Sequence, residues 1–317
     1  MSTLSFVLAL GALVWPIIWL VSALALPLLA ARRHLSPPSR VELTTALLLA
    51  PALLTLTLLV TIAAPSVLAL IDPSRDHCLG HGHHLHLCLW HGAALPPWLA
   101  WIGAAMWTVT GARLTHAALQ LVETERLSAA LLALGHTNDA VCVVPSSRGL
   151  CHAVGLLRPR VLVSKAVVER LAPDELDAAL AHERAHLAHG DPRWSAALSL
   201  AAALSPCSAP LLAAWRDAVE DAADDAAASL CGGEAVSRAL IAVTRLRLAP
   251  APGLGLVQPQ SVERRVMRLL APRPTPRGSR ALWGALALVT LTGIGIGWGH
   301  EGLHHAAEEL WSALLLS

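Results

Sequence analysis

Two stretches of this 317-residue chain place the same residue types at the same spacing. "AHERAHLAHGD" carries His182, Glu183 and His186, and "HEGLHH" near the end carries His300, Glu301 and His304. Histidines four apart on a helix stack on one face, so two imidazoles can reach one tetrahedral zinc ion while the glutamate stands beside the metal instead of on it. A carboxylate so placed can take a proton from an activated water and pass it to a leaving amine. The chemistry on offer is metal-assisted hydrolysis. What flanks each copy must distinguish them.

The first copy needs a helix, and "LAPDELDAALAHERAHLAHGDP" reads as one over 173–189. Pro173 fits the first turn, Asp174 and Glu175 suit the positive helix end, Gly190 is a stop and Pro192 lies beyond. His189 is about 10.5 Å along the helix from His182, too far for both to bind one ion. A third ligand must come from another helix. "WRDAVEDAADDAAASL", residues 215–230, puts Glu220 and Asp224 on one face, so that Glu220 can bind the metal and Asp224 can fix the tautomer of a ligand histidine. The competing reading makes Glu220, Asp221, Asp224 and Asp225 a solvated acidic face. Between the two helices runs an apolar segment, 194–215, interrupted by Pro206 and Pro210. It predicts a membrane-embedded helical hairpin, or two short helices, that returns Glu220 to the side of His182.

Composition says where these helices live. Hydrophobic residues make up 55% of the chain and charged residues 14%, against about 25% charged in soluble domains. Apolar runs over 1–31, 43–71, 93–112 and 281–299 are each long enough to span a bilayer. The expected fold is a mainly α membrane protein with about four transmembrane helices and a cytoplasmic α+β zincin domain inserted between the third and fourth. Residues 1–113 would form the three-span region, 114–280 the gluzincin-like domain, and 281–317 the last span and a short outer tail. Arg32, Arg33, Arg40, Arg113 and the arginines of "SVERRVMRLLAPRPTPRGSR" mark the cytoplasmic ends, which leaves the N-terminus outside. A net charge of +1 gives no basic excess for direct contact with nucleic acid; the bulk partner is membrane lipid.

On that topology the second copy faces outward. The outer loop 72–92 packs His77, Cys78, His81, His83, His84, His86, Cys88 and His91 together, a tract suited to a second transition metal, zinc or copper. A polar loop closed by a Cys78–Cys88 disulfide is the plainer reading. "HEGLHH" has Gly302 in its middle and no Glu-x-x-Ala-Asp segment after it, so it is assigned to binding: His300 and His304 could join the loop histidines. Cys142, Cys151, Cys207 and Cys231 are expected to be reduced.

The stretches "GLLRPRVLVSKAVVERLAPDELDAALAHERAH", "EDAAD" and "VERRVMRLL" resemble the integral-membrane zinc metallopeptidase family of the β-lactam-sensing antirepressors. The resemblance implies one catalytic zinc on His182, His186 and Glu220, with Glu183 as general base. It also implies a protein substrate on the cytoplasmic side, either a DNA-binding repressor or the chain itself, cleaved in response to a signal. Two alternatives stand beside it. One is a housekeeping quality-control zinc protease, whose relatives carry two full spans between the motifs; the other is a non-hydrolytic transition-metal sensor, which would have no use for Glu183. Three details complete the expectations. The chain has no tyrosine to stabilise the oxyanion; His152, His189 and Arg216 are candidates for that role, none fixed by spacing and each as readily structural. "RVLVSK" at 160–165 reads as a short strand, either an edge strand able to hold substrate or ordinary sheet structure. The linker at 249–260, or the arginine-rich stretch after it, is the candidate for self-cleavage.

Overall fold

A computed structural model describes residues 2–29, 35–71, 96–138, 140–248 and 259–271, with isolated positions at 309 and 313. The outer histidine loop, the fourth apolar run, "HEGLHH" and most of the 249–260 linker lie outside the described residues.

Three long helices come first: α1 (Ser2–Leu24), α2 (Pro37–Ile71) and α3 (Pro97–Leu134). Among the described residues, two segments are long and apolar enough to cross a membrane, Thr3–Leu29 and Pro37–Val60. Phe6, Leu13, Trp15 and Ile18 of α1 pack with Ile62 and Leu99 into one apolar core. Small residues let α1 and α3 approach: a Cβ on Gly103 would stand 2.0 Å from the Leu8 carbonyl oxygen. Helix α3 then runs unbroken past Arg113, where the sequence sets a domain boundary.

A four-stranded mixed sheet follows, with β1 (His136–Asn138), β2 (Val141–Val144), β3 (Cys151–Val154) and β4 (Arg160–Ser164) in the order β1-β2-β4-β3. β4 pairs parallel with β2 and antiparallel with β3. This corrects one expectation: "RVLVS" is an inner strand with Val161, Leu162 and Val163 buried, as its unbroken apolar run suits, and the edge strand beside the site is β3.

Ser164 closes β4 and caps α4 (Lys165–Arg170) by accepting from Val167 N. Next comes α5 (Pro173–His189), with Pro173 at its start and the Glu175 carboxylate accepting from Ala172 N at 3.2 Å. Gly190, at φ 70°, ends α5 in the left-handed conformation, and α6 (Asp191–Ala203) begins at the next residue. α6 stops before a single 3₁₀ turn at Pro206–Ser208, after which α7 (Ala209–Cys231) runs through the acidic segment. Pro206 breaks the chain; Pro210 sits harmlessly in the first turn of α7. The bend is fastened from outside. Arg113 donates to the carbonyls of Ala202, Ala203 and Ser205 at 3.0–3.2 Å, and Trp19 Nε1 to that of Leu204 at 3.3 Å, satisfying acceptors that a helix end leaves open.

Helices α8 (Gly233–Leu248) and α9 (Pro259–Leu270) complete the order. Val163, Val167, Ala178, Ala227, Val236 and Leu269 join β4, α4, α5, α7, α8 and α9 in a second core, and Leu48, Leu198, Leu211, Trp215 and Val219 join α2, α6 and α7 in a third.

Candidate metal centre

Helix α5 presents His182 and His186 on one face, their rings edge to face at 4.7 Å and their Nε2 atoms 3.0 Å apart. α7 brings Glu220 to the same point: Oε2 is 3.6 Å from His182 Nε2 and Oε1 3.8 Å from His186 Nε2. One ligand atom from each residue lies within 4.8 Å of the others. The sequence-predicted set of His182, His186 and Glu220 is therefore brought together.

Behind each imidazole stands a carboxylate. Asp224, one turn beyond Glu220 and fully buried, lies 3.1 Å from His182 Nδ1, and Asp191 lies 2.7 Å from His186 Nδ1. Both carboxylates accept, so both rings carry a proton on Nδ1 and turn an Nε2 lone pair toward the same space. Two lone pairs 3.0 Å apart repel unless a cation lies between them. Without a metal the cation is a proton: burial opposes a charged His182, but the close Asp224 carboxylate and the nearby negative charges of Glu220 and Glu183 prevail and hold it up to about 9. Burial likewise opposes ionised Glu220, yet His182 and Arg265 hold its carboxyl down to about 2. Asp224 is also pulled well below the usual carboxylate range, against its burial, by Arg265 and His182. Two imidazoles and a carboxylate fit zinc, with each ring backed by a carboxylate.

Glu183 is buried beside this group, and its Oε2 accepts from Ala153 N of β3 at 2.8 Å. Burial raises its pKa above the ordinary carboxylate value despite the nearby imidazoles. These residues line a cavity of about 370 Å³ walled by β3, α5, α7 and α8. Of the three candidates for an oxyanion donor, His152 and Arg216 line it, whereas His189 faces a separate apolar cavity between α2, α6 and α7. Burial and nearby Arg247 lower His152 to about 4, which keeps its ring neutral.

Sequence reasoning missed Asp191, Arg247 and Arg265. Asp191 follows the stop at Gly190, and only the αL turn swings it back against His186. Arg264, Arg265 and Arg268 read as orientation markers; in the fold they meet α7. Arg264 Nη1 donates to Asp221 Oδ2 at 2.8 Å, Arg265 binds Asp224 through Nε (2.8 Å) and Nη2 (2.7 Å), and Arg268 pairs with Asp225. Arg40 reaches Asp221 from α2 at 2.9 Å. The acidic face of α7 is thus solvated only in part: Asp221 and Asp224 are fully buried, as paired charges can be, while Glu220 and Asp225 are part-exposed. The findable signal was the match of arginines at 264, 265 and 268 to acids at 221, 224 and 225. The four cysteines at 142, 151, 207 and 231 are free thiols.

A mainly helical chain with two apolar helices of spanning length and a half-buried His-His-Glu cluster defines a membrane protein built around a candidate metal centre. The family model of the BlaR1 peptidase M56 matches residues 10–230, and the chain belongs to that peptidase family. It is also 31% identical over 143 residues to the protein named Protease HtpX from Ectopseudomonas mendocina (strain ymp), a match covering 42% of this chain and 48% of the relative. The chain thus spans about half the length of that curated relative. No solved structure matches it.

Proposed function

We propose that the chain is a zinc-dependent endopeptidase, embedded in the membrane and acting on its cytoplasmic side, with a regulatory target: a DNA-binding repressor or the chain itself. The observation that carries this reading is the convergence of the His182, His186 and Glu220 ligand atoms within 4.8 Å, with Glu183 buried alongside. When bound, zinc would supply Lewis acidity to the scissile carbonyl and to the attacking water.

The remaining steps fall to the chain. Asp224 and Asp191 orient the two imidazoles. The bond from Ala153 N fixes the Glu183 carboxylate, whose raised pKa suits it to accept the water's proton and return it to the leaving amine. His152 or Arg216, both in the cavity wall, donates to the oxyanion. The β3 edge offers backbone groups to an extended substrate.

Family membership also leaves room for a quality-control protease. Helix α6 favours the regulatory reading: 13 residues are about 20 Å long, short of the roughly 30 Å hydrocarbon core, whereas the housekeeping type has full spans between its motifs.

The deciding experiment purifies the full chain in detergent, measures bound metal, and compares Glu183→Gln with wild type on a co-expressed repressor. Retained zinc with cleavage reduced at least roughly 100-fold supports the proposal. Equal processing by both proteins refutes it.

A further inference from the structure

We propose that Arg265, delivered by α9, is a positioning residue for the metal centre that holds Glu220 and Asp224 in one fixed arrangement. The inference rests on the zinc-site reading above and goes beyond its ligand set.

The Arg265 guanidinium is a fork set between two carboxylates. Nη1 lies 2.8 Å from Glu220 Oε2, while Nε and Nη2 reach Asp224 Oδ2 at 2.8 Å and Oδ1 at 2.7 Å. Its side chain is 13% exposed, so little solvent screens these bonds. Asp224, once held on both oxygens, can accept from His182 Nδ1 in only one pose. Glu220 needs the help more: its side chain is 43% exposed, and α7 alone leaves it free to turn into the cavity mouth. With Oε2 tethered to Arg265, Oε1 is the oxygen left to face His186, 3.8 Å from its Nε2. One arginine therefore sets a prospective ligand and the partner of a second.

α9 is held by more than the Arg265 bonds, including a longer contact from Arg268 Nη2 to Asp224 Oδ2 at 3.4 Å. Leu269 is buried among Val236, Ala239 and Val243 of α8, and Gly233 opens α8 beneath it: a Cβ there would stand 2.5 Å from the Leu269 carbonyl oxygen. Arg264 and Arg268 add pairs to Asp221 and Asp225 on the same face of α7. Position 265 can thus be altered while α9 keeps its seat, and the seat can be shifted while Arg265 keeps its identity.

The opposing effect of a nearby positive charge is real. A cation repels a dication and weakens the donor strength of Glu220, so charge alone predicts tighter zinc binding once Arg265 is gone. Positioning predicts the reverse, because loss of a partner behind metal ligands typically costs roughly 10- to 100-fold in affinity. A lysine separates the two effects: it retains the charge but cannot bridge two carboxylates through a planar fork.

The test uses the full-length chain in detergent, with zinc affinity measured by competition against a chromophoric chelator and cleavage followed separately. Arg265→Gln should lose roughly 10- to 100-fold in zinc affinity, Arg265→Lys should fall between it and wild type, and Gly233→Ala should shift in the same direction. In zinc-saturated protein kcat should drop with KM little changed, because the substrate-facing β3 edge is untouched. The inference is overturned if Arg265→Gln, with a circular dichroism spectrum matching wild type, binds zinc as tightly or more tightly, or if Arg265→Lys behaves as wild type. A wild-type chain that takes up no zinc would instead defeat the underlying zinc-site reading.

Discussion

Asp191 is the most telling residue to perturb, because its bond to His186 is short, local and absent from the sequence motif. Its Oδ2 lies 2.7 Å from His186 Nδ1, with both side chains nearly buried, at 12% and 11% exposure. A hydrogen bond to a charged group is worth about 1.5–3 kcal/mol and a neutral one about 0.5–1.5, so Asp191→Asn should cost about 1–1.5 kcal/mol. At 1.4 kcal/mol per factor of ten that is roughly tenfold in zinc affinity. Asp191→Ala removes the whole bond and frees the ring to place its proton on Nε2, the atom needed by the metal; its loss should reach roughly 30-fold. Asp191 also opens α6, where an acid favours the positive helix end by about 0.3–1 kcal/mol. Some loss of thermal stability in the metal-free protein is therefore expected from both variants. Affinity is read by chelator competition at fixed pH, alongside thermal unfolding of the metal-free chain. If Asp191→Ala binds zinc within twofold of wild type while its melting temperature falls, Asp191 is only a helix-end acid and the tautomer argument fails.

Four further outcomes follow from the structure. In the metal-free chain the His182 contribution to stability should be complete below its ordinary 6.5 and lost as pH rises toward about 9, while zinc affinity climbs through that window as the proton becomes easier to displace; a Tm that is flat from pH 6.5 to 9 would contradict this. The Glu220 contribution has the opposite sign, present above its ordinary 4.5 and lost as acid brings the pH toward about 2. Asp221→Leu should cost about 3 kcal/mol in denaturant unfolding, because it strands the largely buried Arg40, which approaches Asp221 at 2.9 Å; an unchanged midpoint would show the pair to be incidental. Gly103→Ala should destabilise the α1–α3 contact by about 1–3 kcal/mol, since its Cβ would meet the Leu8 backbone, and equal melting temperatures for the variant and wild type would refute the close approach.

What the chain's order reveals and what it conceals divides along the range of the interactions. α5 follows its punctuation residue by residue from Pro173 to Gly190, because proline, an acidic first turn and an αL glycine act within one helix. The bend at Pro206 is equally local. The pairing of Glu220 with α5 was accessible because a helical face and a metal's need for a third ligand are strong constraints. β4 misled because an apolar strand is compatible with an inner or an edge place, and only the return of β3 decides which. The arginines of α9 misled for a similar reason: basic residues near an apolar run satisfy the rule for cytoplasmic ends whether or not they find acids in the fold. Which acids they meet depends on partners more than 40 residues apart in the chain.

The site's third corner belongs to a helix that the apolar part of the chain holds. α7 carries Glu220 and Asp224, and its preceding turns place Leu211, Trp215 and Val219 in the core shared with Leu48 of α2 and Leu198 of α6. Glu220 lies one residue beyond Val219 and Asp221 binds Arg40 of α2, so any shift of α2 along α7 acts on the residues flanking the ligand. At the other end, Arg113 of α3 and Trp19 of α1 hold the bend from which α7 starts. α5, by contrast, is packed mainly against the sheet, α7 and α8. α7 therefore lies in both cores, the one it shares with α2 and α6 and the one it shares with α5, α8 and the sheet, so the packing of the long helices reaches Glu220 directly through α7 and Asp221.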